Sequence, residues 1–189
     1  MEDSKGALPK KGQKLSLKEL NRIDVEGFKT QEKTPLVLVL DNIRSGLNVG
    51  SAFRTADAFA LQHIYLCGIT AQPPHREILK TAIGATESMD WTYEADTLTV
   101  VRQLQQDNFK VYAVEQAADK TYLQDFSWPA EHPVALVFGN EVKGVSEKVM
   151  EQVDGAIEVP QFGTKHSLNI SVCLGIMVWD LFKKIKYQL

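Results

Sequence analysis

One stretch of the sequence decides the fold: Leu36-Val-Leu-Val-Leu-Asp-Asn-Ile-Arg-Ser-Gly-Leu-Asn-Val-Gly50. Its first five residues form an uninterrupted apolar run, which is typical of a strand buried on both faces of a sheet. A polar loop begins at Asp41, and residues 49–59 then have the pattern of a helix. A strand that passes through such a loop into a helix is the repeating unit of α/β proteins, so we predict that class.

Strand-like and helix-like segments alternate along the rest of the chain. Further strands are predicted at residues 63–67, 89–93, 110–114, 134–138 and 156–159, the last one stopped by Pro160. Helices are predicted at residues 77–83, 98–106, 147–152 and 170–186. This alternation predicts a three-layer sandwich in which helices cover both faces of a mostly parallel sheet.

The N-terminal part of the chain differs from the remainder in composition. Residues 1–14 are polar and rich in lysine, which is typical of disorder. Ser16-Leu-Lys-Glu19 is a capping box and predicts a short helix from residue 17 towards Val25. We therefore predict a flexible lysine-rich segment with a short helix at residues 1–34 and one folded domain at residues 35–189.

Composition limits the class of protein and its compartment. No apolar run approaches the roughly 18 residues of a membrane span, and the N-terminus lacks the apolar core of a secretory signal. Cys67 and Cys173 have no pairing motif, so we expect reduced, buried thiols and a cytoplasmic protein without a membrane partner. The net charge of −3 gives no overall attraction to nucleic acid, although lysines cluster at residues 5–18 and 183–186.

Three polar loops crowd Gly, Asn, Ser and charged residues next to regular elements, at residues 41–50, 138–144 and 166–171. Two of them follow the carboxyl ends of apolar strands, where open parallel sheets bind their ligands. Loops with this much hydrogen-bonding capacity are usually functional. We therefore expect the three loops to share a single site.

The loop residues offer groups for binding a polar ligand, although each has a plain structural alternative. Asn48 opens a helix whose free N–H groups suit an anion, and the guanidinium of Arg54 suits phosphate. Gly139 and Gly144 let the backbone approach a flat ligand, with the Glu141 carboxylate between them. Taken singly, Asn48 is equally a helix cap, Arg54 a surface ion pair and Gly-Asn-Glu a turn.

Several other chemistries lack their sequence signals. The glycine patterns of phosphate loops and of dinucleotide-binding loops are absent. The four histidines are scattered and the cysteines stand alone, so we predict no metal site. A Ser–His–Asp triad that uses His166 and Ser167 stays open, but no nucleophile elbow of the Gly-x-Ser-x-Gly form supports it.

Taken together and in this order, the three loops resemble the signature motifs of the SPOUT superfamily, in its SpoU/TrmH branch of RNA ribose 2′-O-methyltransferases. Asn48-Val-Gly-Ser-Ala-Phe-Arg-Thr-Ala56 resembles the first motif, and Phe138-Gly-Asn-Glu-Val-Lys-Gly144 resembles the second. Ile157-Glu-Val-Pro160 with Ser167-Leu-Asn-Ile-Ser171 resembles the third. The resemblance covers residues 36–182.

The resemblance implies a deep trefoil knot at the C-terminal end, S-adenosylmethionine as cofactor, a homodimer, and tRNA or rRNA as substrate. The residues that it implies for binding the cofactor are Gly139, Asn140, Gly144, Val159 and Leu168. The residues that it implies for catalysis are Asn48, Arg54, Glu141, Ser167 and Asn169.

The implied reaction is an in-line transfer of a methyl group to a ribose 2′-oxygen, which depends on accurate positioning. In this family, the residue that matches Arg54 is often assigned as the general base. A guanidinium stays protonated, so we favour a role for Arg54 in binding the adjacent RNA phosphate and stabilising alkoxide charge. Glu141 would be an alternative proton acceptor or an orienting partner, and Asn48 and Asn169 would position these groups.

The sequence departs from the family pattern at two positions and in one larger feature. Pro160 is followed by Gln161-Phe162 where many relatives have Met, and the β-branched Val142 stands where Gly or Thr is frequent. Many relatives carry an added RNA-binding domain, so residues 5–18 and the dimer surface are expected to supply RNA contacts. Two other hypotheses about function remain: a non-catalytic RNA-binding module, and a nucleotide- or small-molecule-binding protein with a flavodoxin-like fold.

Overall fold

The computed structural model describes residue 12, residues 14–16 and residues 19–187. The strands are β1 (Thr34–Asp41), β2 (Leu61–Cys67), β3 (Trp91–Glu94), β4 (Lys110–Val114), β5 (Thr121–Tyr122), β6 (Val134–Phe138) and β7 (Gly155–Glu158). The helices are α1 (Val25–Thr30), α2 (Gly46–Ala58), α3 (Arg76–Ala82), α4 (Ala85–Ser88), α5 (Thr97–Gln106), α6 (Glu147–Met150) and α7 (Ile170–Tyr187). The strands form one sheet in the order β3-β2-β1-β6-β4-β7-β5, and all the strand pairings in it are parallel.

The sheet is the middle of three layers, as the sequence predicted. Leu36, Leu38 and Leu40 of β1 pack into one apolar cluster with α2, α3 and α7. Val37 and Val39 face the other cluster, which α5 and α6 cover. Because alternate side chains of a strand point to opposite faces, the apolar run of β1 supplies both cores.

The predicted elements from residue 36 onwards are confirmed, with ends that agree or shift by at most three residues. The sequence reading missed α4, which follows the left-handed Gly84, and the two-residue strand β5. Both elements are too short to produce a periodic pattern. Within the described residues, no helix combines the length and the apolar character that a bilayer crossing requires.

The N-terminal helix was predicted in the wrong place. Residues 19–21 form a turn, and α1 begins only at Val25. The capping-box contact exists, because the Glu19 carboxylate accepts hydrogen bonds from the Ser16 backbone and hydroxyl, at 2.7 and 2.6 Å. Asn21 has a positive φ that interrupts a helix there, and Asp24 caps the next one. Residues 17 and 18 and nearly all of the predicted flexible segment 1–14 lie outside the described residues.

Close packing of α2 on α3 depends on Gly50. A Cβ atom at this position would overlap the Thr81 hydroxyl and the Ile78 carbonyl oxygen of α3. The absence of a side chain therefore lets the two helices approach each other. Gly175 in α7 offers a contrast, since a Cβ there would meet nothing within 4 Å.

We expect Gly50→Ala to lower the free energy of unfolding by about 2 kcal/mol, because the added methyl forces two packed helices apart. Gly163→Ala is the control, because a Cβ there would meet nothing within 4 Å among the described residues. It should change the free energy of unfolding by less than about 0.5 kcal/mol, as is usual for an exposed position. Urea titration measures both, and equal effects at the two positions would contradict the packing argument.

Candidate functional site

A cleft of about 410 Å³ opens at the carboxyl ends of β4, β6 and β7. We call it the main cleft. Its walls are formed by three segments: the end of β4, the loop after β6, and the chain between β7 and α7. Its lining includes all five residues that the resemblance implied for the cofactor: Gly139, Asn140, Gly144, Val159 and Leu168. The structure therefore brings together residues from the second and third loops, as expected from their positions at strand ends.

The loop after β6 owes its shape to Asn140 and to two glycines. The side-chain oxygen of Asn140 accepts hydrogen bonds from the backbone of Val142 and Lys143, at 3.0 and 3.1 Å, which closes a tight turn. A Cβ atom at Gly139 would overlap the backbone of Gly144 and Val145. Val142 is not among the residues with positive φ, so the β-branched side chain at this position causes no strain.

Glu115 is a wall residue of the main cleft that the sequence reading missed. Its carboxylate accepts hydrogen bonds from the backbone of Val145 at 3.1 Å and of Gln116 at 2.9 Å. It thereby joins the end of β4 to the loop after β6. The available signal was its position, one residue beyond a predicted strand at the ligand-binding edge of the sheet.

Asp41, at the end of β1, connects the first loop to Thr97 at the start of α5 and to Ser146, which precedes α6. Its buried carboxylate accepts hydrogen bonds from the Thr97 hydroxyl at 2.5 Å and the Ser146 backbone at 3.3 Å. The neighbouring Asn42 accepts a hydrogen bond on its carbonyl oxygen from the Asn140 side chain, at 2.8 Å. Asp41 and Asn42 thus support the loops structurally, and neither lines the main cleft.

Three of the predicted catalytic residues meet at the rim of the main cleft. The Asn48 side chain donates to the Glu141 carboxylate at 3.1 Å, and the Asn169 side chain donates to the Asn48 side-chain oxygen at 3.3 Å. We call these three residues the rim cluster. Each amide nitrogen carries two protons and uses one of them within the cluster, so each keeps a donor for a ligand.

The Glu141 carboxylate is held as an anion by several donors. Burial on its own would raise the pKa of Glu141. The backbone N–H groups of Arg44, Glu141 and Ser45, with the Asn48 amide, outweigh burial and lower the pKa below its usual value. A carboxylate with a lowered pKa is a weak base at neutral pH, so this environment suits an orienting role better than proton abstraction.

The other two predicted catalytic residues occupy different positions. Ser167 is exposed and lines the main cleft. Arg54 is exposed on α2 and lines a second depression, between α2 and α3, with Lys80 and Thr81. Six residues, about one and two-thirds helical turns, separate Arg54 from Asn48, so the two side chains project from different faces of α2. The structure therefore does not bring Arg54 into the cluster.

The remaining candidate groups support neither a triad nor a metal site. Among residues 19–187, no hydrogen bond joins a serine hydroxyl to a histidine ring. No group of three or more His, Cys, Asp or Glu side chains in the described part of the chain is arranged to hold a metal ion. Cys67 is buried as predicted, but Cys173 is only partly buried and lines the main cleft. Burial, with a smaller contribution from Glu115, raises the pKa of the Cys173 thiol to about 11, so it stays protonated.

The sequence of this chain matches the model of a known family. Residues 35–179 match the family described as SpoU rRNA Methylase. The chain therefore belongs to the SpoU rRNA methylase family, which confirms the resemblance inferred from the three loops.

Individual relatives and solved structures agree with this assignment. The chain is 29% identical over 167 residues to the 23S rRNA (guanosine-2'-O-)-methyltransferase RlmB of Vibrio parahaemolyticus, a match that covers 88% of this chain and 66% of that protein. Its fold is similar to the AdoMet-bound rRNA methyltransferase from Sinorhizobium meliloti, with a TM-score of 0.75 and 25% identity over 82% of this chain and 58% of that one. The A. aeolicus TrmH/SpoU tRNA modifying enzyme shares the fold, with a TM-score of 0.75, 21% identity, and coverage of 87% of this chain and 81% of that one. The chain thus spans about two thirds of the length of the RlmB relative.

We expect Glu141→Gln to lower the free energy of unfolding by about 1 kcal/mol at pH 7. This figure is below the usual value for charge-assisted hydrogen bonds, because the side chain is exposed. The pKa of Glu141 is lower in the folded protein than its ordinary value of 4.5. The carboxylate therefore contributes fully to stability above pH 4.5, and this contribution is lost as the pH falls through the folded-state pKa. The difference from wild type, measured by urea unfolding, should therefore shrink between pH 7 and pH 3.

Glu151→Gln is the control, because Glu151 is exposed and its carboxylate accepts no hydrogen bond within the described residues. A similar loss in the control, or a Glu141→Gln loss that is undiminished at pH 3, would contradict the role assigned to the backbone donors.

Proposed function

We propose that this protein transfers a methyl group from S-adenosylmethionine to a ribose 2′-hydroxyl of ribosomal or transfer RNA. The observation that carries the proposal is the contact between the rim cluster and a cleft lined by all five residues implied for the cofactor. The relatives support it by name, since RlmB of Vibrio parahaemolyticus is a 23S rRNA (guanosine-2'-O-)-methyltransferase.

The main cleft suits the proposed cofactor in size and in charge. Its volume of about 410 Å³ lies in the range of pockets for small molecules. The acidic residues in its lining are Glu115, Glu141 and Glu158, and no lysine or arginine of the described part of the chain lines it. Such a wall favours a cationic ligand, and a sulfonium donor carries a positive charge at sulfur. Backbone around Gly139, Val159 and Leu168 would hold the cofactor, which supplies the methyl group.

The rim cluster would position the ribose beside the cleft. The free amide protons of Asn48 and Asn169 would donate to ribose oxygens, and Glu141 would keep the Asn48 amide oriented through its 3.1 Å hydrogen bond. Ser167 lies in the same wall and would add a hydroxyl contact. Holding the nucleophile in line in this way supplies much of the rate of such transfers.

Arg54 would act on the RNA rather than within the cleft. Its exposed position outside the rim cluster suits contact with the phosphate beside the target ribose. From there its charge would stabilise the alkoxide that develops at the 2′-oxygen. This role needs no deprotonation of the guanidinium.

The homodimer, the trefoil knot and the cytoplasmic location remain part of the proposal. An exposed apolar face on α7, formed by Val172, Ile176 and Trp179, supports a second copy as its partner. The knot is supported by the family resemblance. A cytoplasmic location agrees with RNA substrates.

Calorimetric titration with S-adenosylmethionine and S-adenosylhomocysteine, followed by methyl transfer to unmodified rRNA and tRNA transcripts, tests the proposal. We expect binding and transfer to a ribose oxygen, located by mapping 2′-O-methyl positions. Absence of binding would remove the proposal. Binding without transfer to RNA would favour the non-catalytic RNA-binding alternative.

We expect Gly139→Ala to weaken S-adenosylmethionine binding at least about tenfold, because its Cβ would displace the loop that walls the main cleft. Gly163→Ala is the matched control, since a Cβ there meets nothing within 4 Å and should leave the affinity unchanged. Calorimetry measures both, with circular dichroism to verify the fold. Unchanged affinity in folded Gly139→Ala would contradict the loop's role.

Arg54→Lys should lower kcat/KM for methyl transfer about 100-fold, because a lysine keeps the charge but loses the paired donors of the guanidinium. Its affinity for S-adenosylmethionine should match wild type, since Arg54 does not line the main cleft. Steady-state transfer assays and calorimetry on the same preparation separate the two effects. Near-normal turnover would contradict a bidentate phosphate contact.

A further inference from the structure

A second depression, of about 440 Å³, lies between α2 and α3. We call it the α2–α3 groove, and its lining residues are Ser51, Arg54, Thr55, Ala58, Phe59, Lys80 and Thr81. Two of these residues are cationic and none is acidic. The main cleft has the opposite character, because the described residues that line it include three glutamates and no lysine or arginine. The two depressions are therefore suited to ligands of opposite charge.

The cations of the α2–α3 groove are available for a ligand. Within the described residues, neither Arg54 nor Lys80 forms an ion pair or a side-chain hydrogen bond, whereas Lys110 and Lys184 pair with aspartates at 2.9 and 2.6 Å. Both groove side chains are exposed. An unpaired Arg and an unpaired Lys in one concave surface form a site for an anion.

Only one of the three hydroxyl groups that line the groove has its proton available for a bound anion. Ser51 and Thr81 both donate to the Leu47 carbonyl oxygen, at 2.9 Å each. Their protons are therefore already used, and Thr55 is the hydroxyl left to assist Arg54 and Lys80. Thr55 lies beside Arg54 on α2, facing the same concave surface.

The groove continues from the rim cluster along α2. Asn48, Ser51 and Thr55 are spaced by three and four residues, so they lie along one face of the helix. Arg54 lies about 9 Å along the helix axis from Asn48, from the rise per residue. A polynucleotide whose ribose sits at Asn48 would place its flanking phosphates within reach of the groove.

We propose that the α2–α3 groove binds the RNA phosphates next to the target ribose, and that Lys80 is a substrate-binding residue together with Arg54. This inference rests on the proposed function, since it takes RNA as the substrate. It gives the RNA strand a path from the rim cluster over the exposed face of α2 towards α3. The contacts are to the backbone, so they add affinity without reading the sequence of the RNA.

The test compares Lys80→Ala, Lys80→Arg and the control Lys148→Ala. Lys148 is exposed on α6, on the opposite face of the sheet, and forms no ion pair within the described residues. Affinity for unmodified 23S rRNA and tRNA transcripts is measured by filter binding between 50 and 200 mM salt. Affinity for S-adenosylmethionine, methyl-transfer kinetics and mass in solution are measured on the same preparations.

We expect Lys80→Ala to weaken RNA binding about fivefold at 150 mM salt and to reduce the salt slope by about one. Wild type should accordingly lose about threefold more affinity than this variant between 50 and 200 mM salt. The KM for RNA should rise in Lys80→Ala, while kcat and the affinity for S-adenosylmethionine should stay unchanged. Lys80→Arg should behave as wild type, and Lys148→Ala should leave the slope intact.

Other outcomes overturn the inference in distinguishable ways. Wild-type salt slopes in Lys80→Ala, with methyl transfer to RNA intact in the wild-type protein, would reject the groove and leave the proposed function standing. Equal losses in Lys80→Ala and Lys148→Ala would reduce the effect to overall charge. A change of mass in solution in Lys80→Ala would assign the groove to a second copy of the chain. Failure of the wild-type protein to bind any RNA would remove both proposals.

Discussion

The candidate site depends on the Glu141 carboxylate, which accepts hydrogen bonds from the backbone of Arg44 at 2.9 Å and of Ser45 at 3.1 Å, and from the Asn48 side chain. These donors lie more than 90 residues earlier in the chain, so a single side chain joins the loop after β1 to the loop after β6. Because Asn48 in turn accepts from Asn169, the start of α7 is tied to the same point. The donors hold the carboxylate ionised, and the arrangement of the three segments therefore depends on the negative charge of Glu141.

Charge is separated between the two depressions of the molecule. The carboxylates that line the main cleft suit a small cation, while Arg54 and Lys80 of the α2–α3 groove suit an anion. The rim cluster borders the main cleft and begins the helix face that leads to the groove. A reaction between a cationic donor and a polyanionic acceptor needs this order of sites, and a net charge of −3 for the whole chain gives no sign of it.

The sequence predicted most of the fold and much of the site for physical reasons that can be named. Uninterrupted apolar runs identified the inner strands, since only a strand covered on both faces lacks polar positions. The loops at the ends of β1 and β6 then had to lie at the same edge of the sheet, which brought Asn48 close to Glu141. The helical repeat also held the information that Arg54 and Asn48 face different directions, because six residues are not a whole number of turns.

What the sequence did not reveal depends on partners distant in the chain. Glu115 acquires its role from the Val145 backbone, 30 residues later, and no local pattern reports such a pairing. The chain has two possible helix caps in this region, Ser16 and Asp24. The helix α1 follows Asp24, where Phe28 can be buried against the core. Short elements such as α4 form because their neighbours pack on them, so propensity alone does not find them.

The central place of β6 in the sheet has a consequence for how the chain acquires its structure during synthesis. β1 pairs with β2 on one side but with β6 on the other, about 100 residues later. β4 likewise pairs with β6 and β7, both of which follow it in the chain. During synthesis one edge of β1 therefore stays open until residue 138 has emerged, and one edge of β4 stays open until residue 158 has emerged. Such long-range pairing slows folding, and the open apolar edges expose folding intermediates to aggregation until it is complete.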